Sequence, residues 1–357
     1  MLQYFKQRIG ERSSGMITYE EFMEQALYHP IHGYYMKSGE KIGRSGDFIT
    51  TSNISDIFGS AIAKWFLRLT KEKNIEPAVC ELGAGNGRFA AAFIAEWQRI
   101  CDKELHYYIV EESPYHRERQ REIIHFDQRI KQIESLEKIS PFNGFVFSNE
   151  LFDALPVHVV EMKDGQLMEV MVTFDEDQGR LVEKLVPLAN EKIVNYLKQS
   201  DIQLRNNQRI EVPLAMEPII SQIANVLQKG LVVTVDYGYN DAEWMEPVHR
   251  DGSLRGYYKH EQIKDILLNP GDVDITSHVQ FDSIIRMGEE NGLKFLKQQR
   301  QDEFLLSIGL LEELQNHVDP DPFSEVSRRN RAIRSLIMPS GISSFFHVLL
   351  QEKGIDV

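Results

Sequence analysis

Ala78-Val79-Cys80-Glu81-Leu82-Gly83-Ala84-Gly85-Asn86-Gly87-Arg88-Phe89-Ala90 is the stretch on which the fold turns. A short apolar strand is broken by glycines at positions 83, 85 and 87, and an Ala-rich segment of helical character follows at once. Glycine permits a sharp turn and lets a ligand reach backbone atoms that a Cβ would cover. A helix opening at Asn86 or Gly87 aims its free N–H groups at that ligand. The dinucleotide fingerprint G-x-G-x-x-G needs its third glycine at position 88, where this chain has Arg88. That departure favours an S-adenosylmethionine (SAM) loop over a dinucleotide loop. The plainer alternative is a strand-to-helix turn that binds nothing.

The neighbouring strand discriminates between the two. An adenosyl cofactor needs a carboxylate for its ribose hydroxyls at the end of the next strand, about 20 residues on. His106-Tyr107-Tyr108-Ile109-Val110-Glu111-Glu112 supplies both the strand and the acid. The helical segment Arg88 to Ile100 lies between, so the unit reads as a right-handed βαβ crossover with Glu111 as the ribose ligand.

Outward from this unit the chain divides into four regions. Residues 1–74 form a helical region, with Thr18 capping Tyr19 to Tyr28 and a longer amphipathic helix from Ser55 to Lys73. Residues 75–156 carry the first half of a doubly wound domain, with further strands at Arg129 to Ile133 and Gly144 to Asn149. Over 157–216 the period changes to alternation around Asp164-Gly165 and Asp177-Gln178-Gly179, which marks a hairpin-containing insertion. In 217–357 a helix Glu217 to Lys229 leads into the buried strand Leu231 to Gly238, where the sheet resumes. Leu293 to Gln299 and Ser343 to Gln351 are the expected closing antiparallel pair, with helices between Asp302 and Leu336.

Composition bounds the function. The chain has 357 residues, 42% hydrophobic and 26% charged, which is ordinary globular material. A net charge of −14 argues against a phosphate-backbone partner and suits a cationic ligand. The two cysteines, Cys80 and Cys101, form neither a zinc site nor a disulfide framework. With no apolar leader or long apolar window, the expectation is a cytoplasmic protein that is neither exported nor membrane-bound.

Polar residues at strand ends are where an open α/β sheet does its chemistry, which singles out Ser148-Asn149-Glu150-Leu151-Phe152-Asp153-Ala154-Leu155-Pro156. If the segment turns helically, Glu150 and Asp153 share a face, and paired carboxylates suit a guanidinium. Otherwise Asn149 or Asp153 caps a following helix.

With these motifs in order, the chain resembles the MidA-type SAM-dependent methyltransferases, the family of the mitochondrial complex I assembly methyltransferase. The resemblance covers most of the chain. It rests on Gly46-Asp47-Phe48-Ile49-Thr50-Thr51-Ser52, Glu81 to Gly87, Val110-Glu111 with Ser113-Pro114, and Asn149 to His158. Asp236-Tyr237-Gly238, Asp251 to Tyr257 and Pro270 to Val279 continue it. It implies an α/β fold: a class I Rossmann-like methyltransferase sheet with an N-terminal helical region and an inserted substrate region. It also implies SAM as cofactor and, for the mitochondrial member, symmetric dimethylation of a protein arginine.

On that reading Gly83, Ala84, Gly85 and Gly87 cradle the methionine end of SAM, with Ala84 standing where the family usually has Pro. Glu111 takes the ribose, Glu134 or Ser135 faces the adenine, and Asn149 joins the cofactor residues. Asp47, Thr50 and Ser52 belong to a lid. Glu150 is the guanidinium clamp and Asp153 its second carboxylate. His158, His260 and His278 are candidates for the acceptor channel, although a lone histidine more commonly serves structure. His29 and His32 lack further ligands, so no metal is expected. Two alternatives stay open: a small-molecule O- or N-acceptor, and a non-catalytic SAM-binding assembly factor.

Overall fold

The computed structural model describes residues 1–38, 56–200, 202–258, 261–316, 321 and 323–355. Ala78–Leu82 lies inside a twisted sheet, parallel to His106–Val110 on one side and to Phe142–Asn149 on the other. Ile130–Ile133 extends the first side and Leu227–Tyr239 the second, both in parallel. Phe346–Lys353 then runs antiparallel to Leu227–Tyr239, and Lys294–Arg300 antiparallel to Phe346–Lys353. This is the expected Rossmann-like sheet, closed by the expected antiparallel pair. Its parallel neighbours are joined through crossovers such as the helices Arg88–Ile100 and Pro114–Ile123.

Both faces of the sheet are covered, so Ala78–Leu82 is buried at every position. Alternate residues enter different cores. Val79, Tyr107, Phe145 and Phe147 meet the helices Ile57–Glu72 and Arg88–Ile100, with Phe66 stacked on Phe145 at 5.0 Å and Phe89 on Phe147 at 4.2 Å. Ala78, Cys80 and Val146 face the opposite way, toward Met216, Ile220 and Phe281.

Some boundaries shift for physical reasons. The expected helix Glu217 to Lys229 is Met216–Val226, and the strand begins at Leu227 rather than Leu231. Leu227 is fully buried and pairs with Phe142, and Gly230 disfavours helix, so sheet pairing takes over early. The last strand begins at Phe346 because Ile342–Phe345 forms a 3-10 turn, in which the buried Ser343 accepts a hydrogen bond from Gln301.

The first residues serve two cores. The helix Ile57–Glu72 packs on the central sheet. Phe5, Phe22, Met23 and Leu27, by contrast, pack on Val159, Val170 and Val172 of the inserted strands. Those strands form an antiparallel sheet in which Ile17–Thr18 pairs with Gln166–Asp175. Thr18 caps the helix Tyr19–Tyr28 as its sequence predicts, accepting the Glu21 N–H at 3.0 Å. The same core takes in Val273 and Ile275, the latter on a small sheet built from Arg255–Tyr258, Glu261–Ile263 and Asp274–Thr276.

His158, expected at the acceptor channel, is instead the tie between these layers. It is 4% exposed, with Nε2 3.1 Å from Glu20 of the N-terminal helix and Nδ1 2.9 Å from Glu169 of the inserted sheet. Burial pulls its pKa down, but the two carboxylates outweigh that and push it up to about 9. The stabilisation is therefore complete below the unfolded value near 6.5 and fades as pH rises through about 9. His158→Gln is expected to cost about 2–3 kcal/mol at pH 7, below the full buried-pair range because Glu20 is partly exposed. Urea melts at pH 6.5 and 9.5 should also lose most of the difference seen in the unmutated protein.

Candidate active site

At the C-terminal ends of the parallel strands lies a cavity of about 450 Å³, within the ~300–1,000 Å³ of small-molecule sites. The glycine loop forms one wall, the turn 149–156 another, and Tyr28, Tyr34, Tyr35 and Met36 a third.

Gly83 has φ +66° and Gly87 φ +79°, both in the left-handed region. A Cβ at Gly83 would stand 2.9 Å from Leu151 Cδ1, and one at Gly87 2.8 Å from Gln120 Cγ. The loop can thus follow this path only with glycine at these positions. Glu111 holds it in place: Oε2 accepts the Gly85 N–H and Oε1 accepts the Ser113 N–H, each at 2.9 Å. Gln120 Nε2 donates to the Gly85 carbonyl at 2.8 Å. Gly87 sits behind the loop as the N-cap of Arg88–Ile100.

Glu150 and Asp153 reach one cavity, but by a route other than a helical turn. No helix follows Asn149. Glu150 takes a left-handed φ of +50°, its N–H donating to the Val235 carbonyl at 2.9 Å. The turn behind it is braced by Asp236, whose Oδ2 accepts the Phe152 N–H at 3.0 Å. Tyr28 Oη donates to the Ala154 carbonyl at 2.9 Å, and the Ser277 N–H to the Asp153 carbonyl at 2.8 Å.

The cavity therefore gathers Gly83, Ala84, Gly85, Glu111, Asn149, Glu150 and Asp153. Others expected there lie elsewhere. Glu134 is exposed and paired with Lys138 at 2.7 Å, and Ser135 does not line the cavity. Leu136 lines the wall instead. His278 does not line the cavity; it lies edge-on to Tyr237 and Tyr239, and burial pushes its pKa down to about 4, so it is neutral at pH 7. Asp47, Thr50, Ser52 and His260 lie outside the described residues.

Several residues come into view only in three dimensions. Tyr35 Oη donates to Asp274 Oδ1 at 2.6 Å at the cavity wall. Glu81, buried in its strand, accepts from Tyr107 Oη at 2.7 Å, and burial pushes its carboxyl up to about 8. Asp236 was reachable by the same strand-end rule that singles out Glu150. Tyr28, Tyr35 and Asp274 carry no local signal, since distant segments bring them in.

The electrostatics are one-sided. Among the described residues the lining includes Glu24, Glu81, Glu111, Glu112, Glu150, Asp153 and Asp274, and neither lysine nor arginine. Burial and the charges of Asp153 and Asp236 raise the Glu150 pKa well above the carboxylate range. Burial and Asp274, partly offset by Tyr237, push Asp153 up to about 7. Among the described residues, Glu150 Oε2 is a buried oxygen without a hydrogen-bond partner. Buried carboxyls of this kind favour a cationic ligand.

A glycine cradle, an acid at the end of the second strand and a carboxylate-lined cavity fit a cationic sulfonium bearing adenosine. Fold and site together define a SAM-dependent methyltransferase. Residues 61–299 match the model of a family described as S-adenosyl-L-methionine-dependent methyltransferases, and the chain belongs to that family. It is similar to the mitochondrial protein arginine methyltransferase NDUFAF7 of Rattus norvegicus, 25% identical over 100% of this chain and 86% of that protein. The Homo sapiens counterpart is 26% identical over 87% and 73%. A crystal structure of a COG1565 superfamily protein from Burkholderia thailandensis bound to S-adenosyl-homocysteine is 28% identical. It superposes with a TM-score of 0.88 over 100% of this chain and 92% of that one. The mitochondrial setting of the curated relatives overturns the cytoplasmic expectation, which rested only on cysteine usage and the lack of an apolar leader. Among the described residues no helix is long and apolar enough to cross a membrane.

Gly83→Ala adds a Cβ at a left-handed position and presses Leu151. Calorimetric titration with S-adenosyl-homocysteine should show affinity lowered at least tenfold, with a loss of about 1–2 kcal/mol in stability.

Proposed function

We propose that this methyltransferase acts on an arginine side chain presented by a protein. The observation that carries the proposal is the cavity lining, rich in carboxylates and without lysine or arginine among the described residues. Two cations must enter it together, the sulfonium and the acceptor, and a guanidinium is the side chain that two carboxylates hold best. The relatives named as protein arginine methyltransferases support the same acceptor.

SAM supplies a methyl group already activated by its positive sulfur. The chain's own residues place and deprotonate the acceptor. Gly83, Ala84 and Gly85 present backbone to the cofactor's methionine end, and Glu111 keeps its remaining lone pairs for the ribose hydroxyls. Glu150 Oε2 faces the guanidinium, held in direction by the Asn149 Nδ2 donor at 3.1 Å from its other oxygen. Arginine holds its proton to above pH 12 in water, so one N–H must lose it as the nitrogen lone pair is used. Asp153 Oδ1 is the acceptor for that proton, raised close to neutrality by burial and Asp274. Tyr28 and the Asp236 brace keep the turn from yielding as charge enters.

Incubating the protein with methyl-labelled SAM and a lysate from cells lacking it tests the reading. Label recovered as dimethylarginine on a discrete protein is the expected outcome, whereas label confined to small molecules would replace it with a metabolite acceptor. Glu150→Gln should retain S-adenosyl-homocysteine affinity within threefold while kcat/KM falls about 10²-fold or more. The pH profile of kcat/KM should rise through about 7, where Asp153 loses its proton, and Asp153→Asn should remove that limb and about 10²–10⁴ of the rate.

A further inference from the structure

Gly85 carries no side chain, so nothing of its own fixes the two peptides that flank it. Neighbouring side chains do this instead. Glu111 accepts the Gly85 N–H at 2.9 Å, and Gln120 of the helix Pro114–Ile123 donates to the Gly85 carbonyl at 2.8 Å. Gln120 is fully buried and, unlike Gly85, does not line the cavity. Its Cγ fills the space beside Gly87, where an added Cβ would meet it at 2.8 Å. One side chain thus holds the middle glycine of the loop through its amide and packs on the last through its stem.

The Gln120 amide is fixed in one sense only. Gln132, on the strand Ile130–Ile133, donates its Nε2 both to the Arg117 carbonyl and to Gln120 Oε1, each at 2.8 Å. The Arg117 carbonyl can only accept, so the Gln132 nitrogen is the atom turned toward Gln120. Gln120 must answer with its oxygen, which leaves its nitrogen for the Gly85 carbonyl. A methionine at position 120 would fill the same space without a polar group to satisfy, and a buried amide is tolerated only where its groups are bonded. Packing alone therefore does not account for the glutamine. Glu111 is tied in turn to the Ser113 N–H at the start of the same helix, so both backbone groups of Gly85 are anchored to one neighbouring unit.

We infer that Gln120, with its amide oriented by Gln132, is a positioning residue for the cofactor. It holds the Gly85 peptide in the orientation in which the loop presents its backbone to SAM, so cofactor affinity depends on two side chains that lie outside the cavity. Affinity gained in this way comes from a site already ordered before the ligand arrives. The role is the same whatever the methyl acceptor is.

The test uses three variants. Gln120→Met keeps the length of the side chain and removes the donor to Gly85. Gln132→Met removes the group that orients Gln120 but leaves the Gly85 bond possible. Gln132→Glu presents an acceptor where the donor stood, so the Gln120 amide turns over and its oxygen meets the Gly85 carbonyl. S-adenosyl-homocysteine affinity is read by calorimetric titration at a temperature at which each variant is folded. It should fall about fivefold to tenfold in Gln120→Met, at least as much in Gln132→Glu, and less than threefold in Gln132→Met. In methyl transfer from labelled SAM to the lysate, the apparent KM for SAM should rise by the same factors while the rate at saturating SAM stays within twofold. Lowered melting temperatures with unchanged S-adenosyl-homocysteine affinity would overturn the inference in favour of a role in packing alone. Equal losses of affinity in Gln132→Met and Gln132→Glu would overturn the orienting role of Gln132. Gln132 is only partly buried, so its two variants decide the matter even where Gln120→Met does not fold. Because the affinity is read without an acceptor, its outcome is separate from the fate of the arginine reading.

Discussion

Asp236 is fully buried, and its carboxylate is committed to backbone: Oδ2 to the Phe152 N–H and Oδ1 to its own neighbour's N–H at Tyr237. The site depends on that interaction. Glu150 is held in a left-handed conformation, which costs a non-glycine residue on the order of 1 kcal/mol and persists only where the surroundings over-determine it. The Val235 carbonyl on one side and Asp236 on the other supply that constraint from a single strand, Leu227–Tyr239. The strand lies in register beside Phe142–Asn149, so the turn leaving the latter is met at once by the polar end of its neighbour.

The same brace explains the electrostatic tension around it. Asp236, Glu150 and Asp153 share one buried region, and Asp236 is itself raised well above the carboxylate range by burial and by Asp153. Within such a cluster the charge on one carboxyl raises the pKa of its neighbours. A site poised in this way accepts cations readily and holds protons near neutrality, the two properties that methylation of a guanidinium requires.

The cavity lies where two structural units meet. The central sheet contributes the glycine loop, Glu111 and the turn after Asn149. The N-terminal helices, the inserted sheet and the small sheet share a separate core and contribute Tyr28, Tyr35 and Asp274. The His158 tie sits inside that second unit and keeps Tyr19–Tyr28 seated on the inserted strands. Through Tyr28, whose hydroxyl donates to the Ala154 carbonyl, the second unit bears directly on the turn after Asn149. The inserted sheet thus bears on the cavity through Tyr28 without lining it.

The sequence by itself determined the strand, glycine loop and helix of Ala78–Ile100, the acid at Glu111, the hairpins of the insertion and the closing antiparallel pair. Each of these is set by local rules: period, turn residues and the conformational freedom of glycine. It also singled out Glu150 and Asp153, because the end of a parallel strand is a place of known chemistry. What only the tertiary structure decided is how those carboxylates point and what surrounds them. A left-handed Glu150 braced by Asp236 stands where spacing suggested a helical face. His158 bridges two carboxylates because residues 20 and 169 arrive on either side of it. Glu134 turns to Lys138 while Leu136 takes the wall. Tyr35 and Asp274, 239 positions apart, meet at one hydrogen bond. Such pairings depend on long-range packing between separate cores, and no periodicity along the chain encodes them.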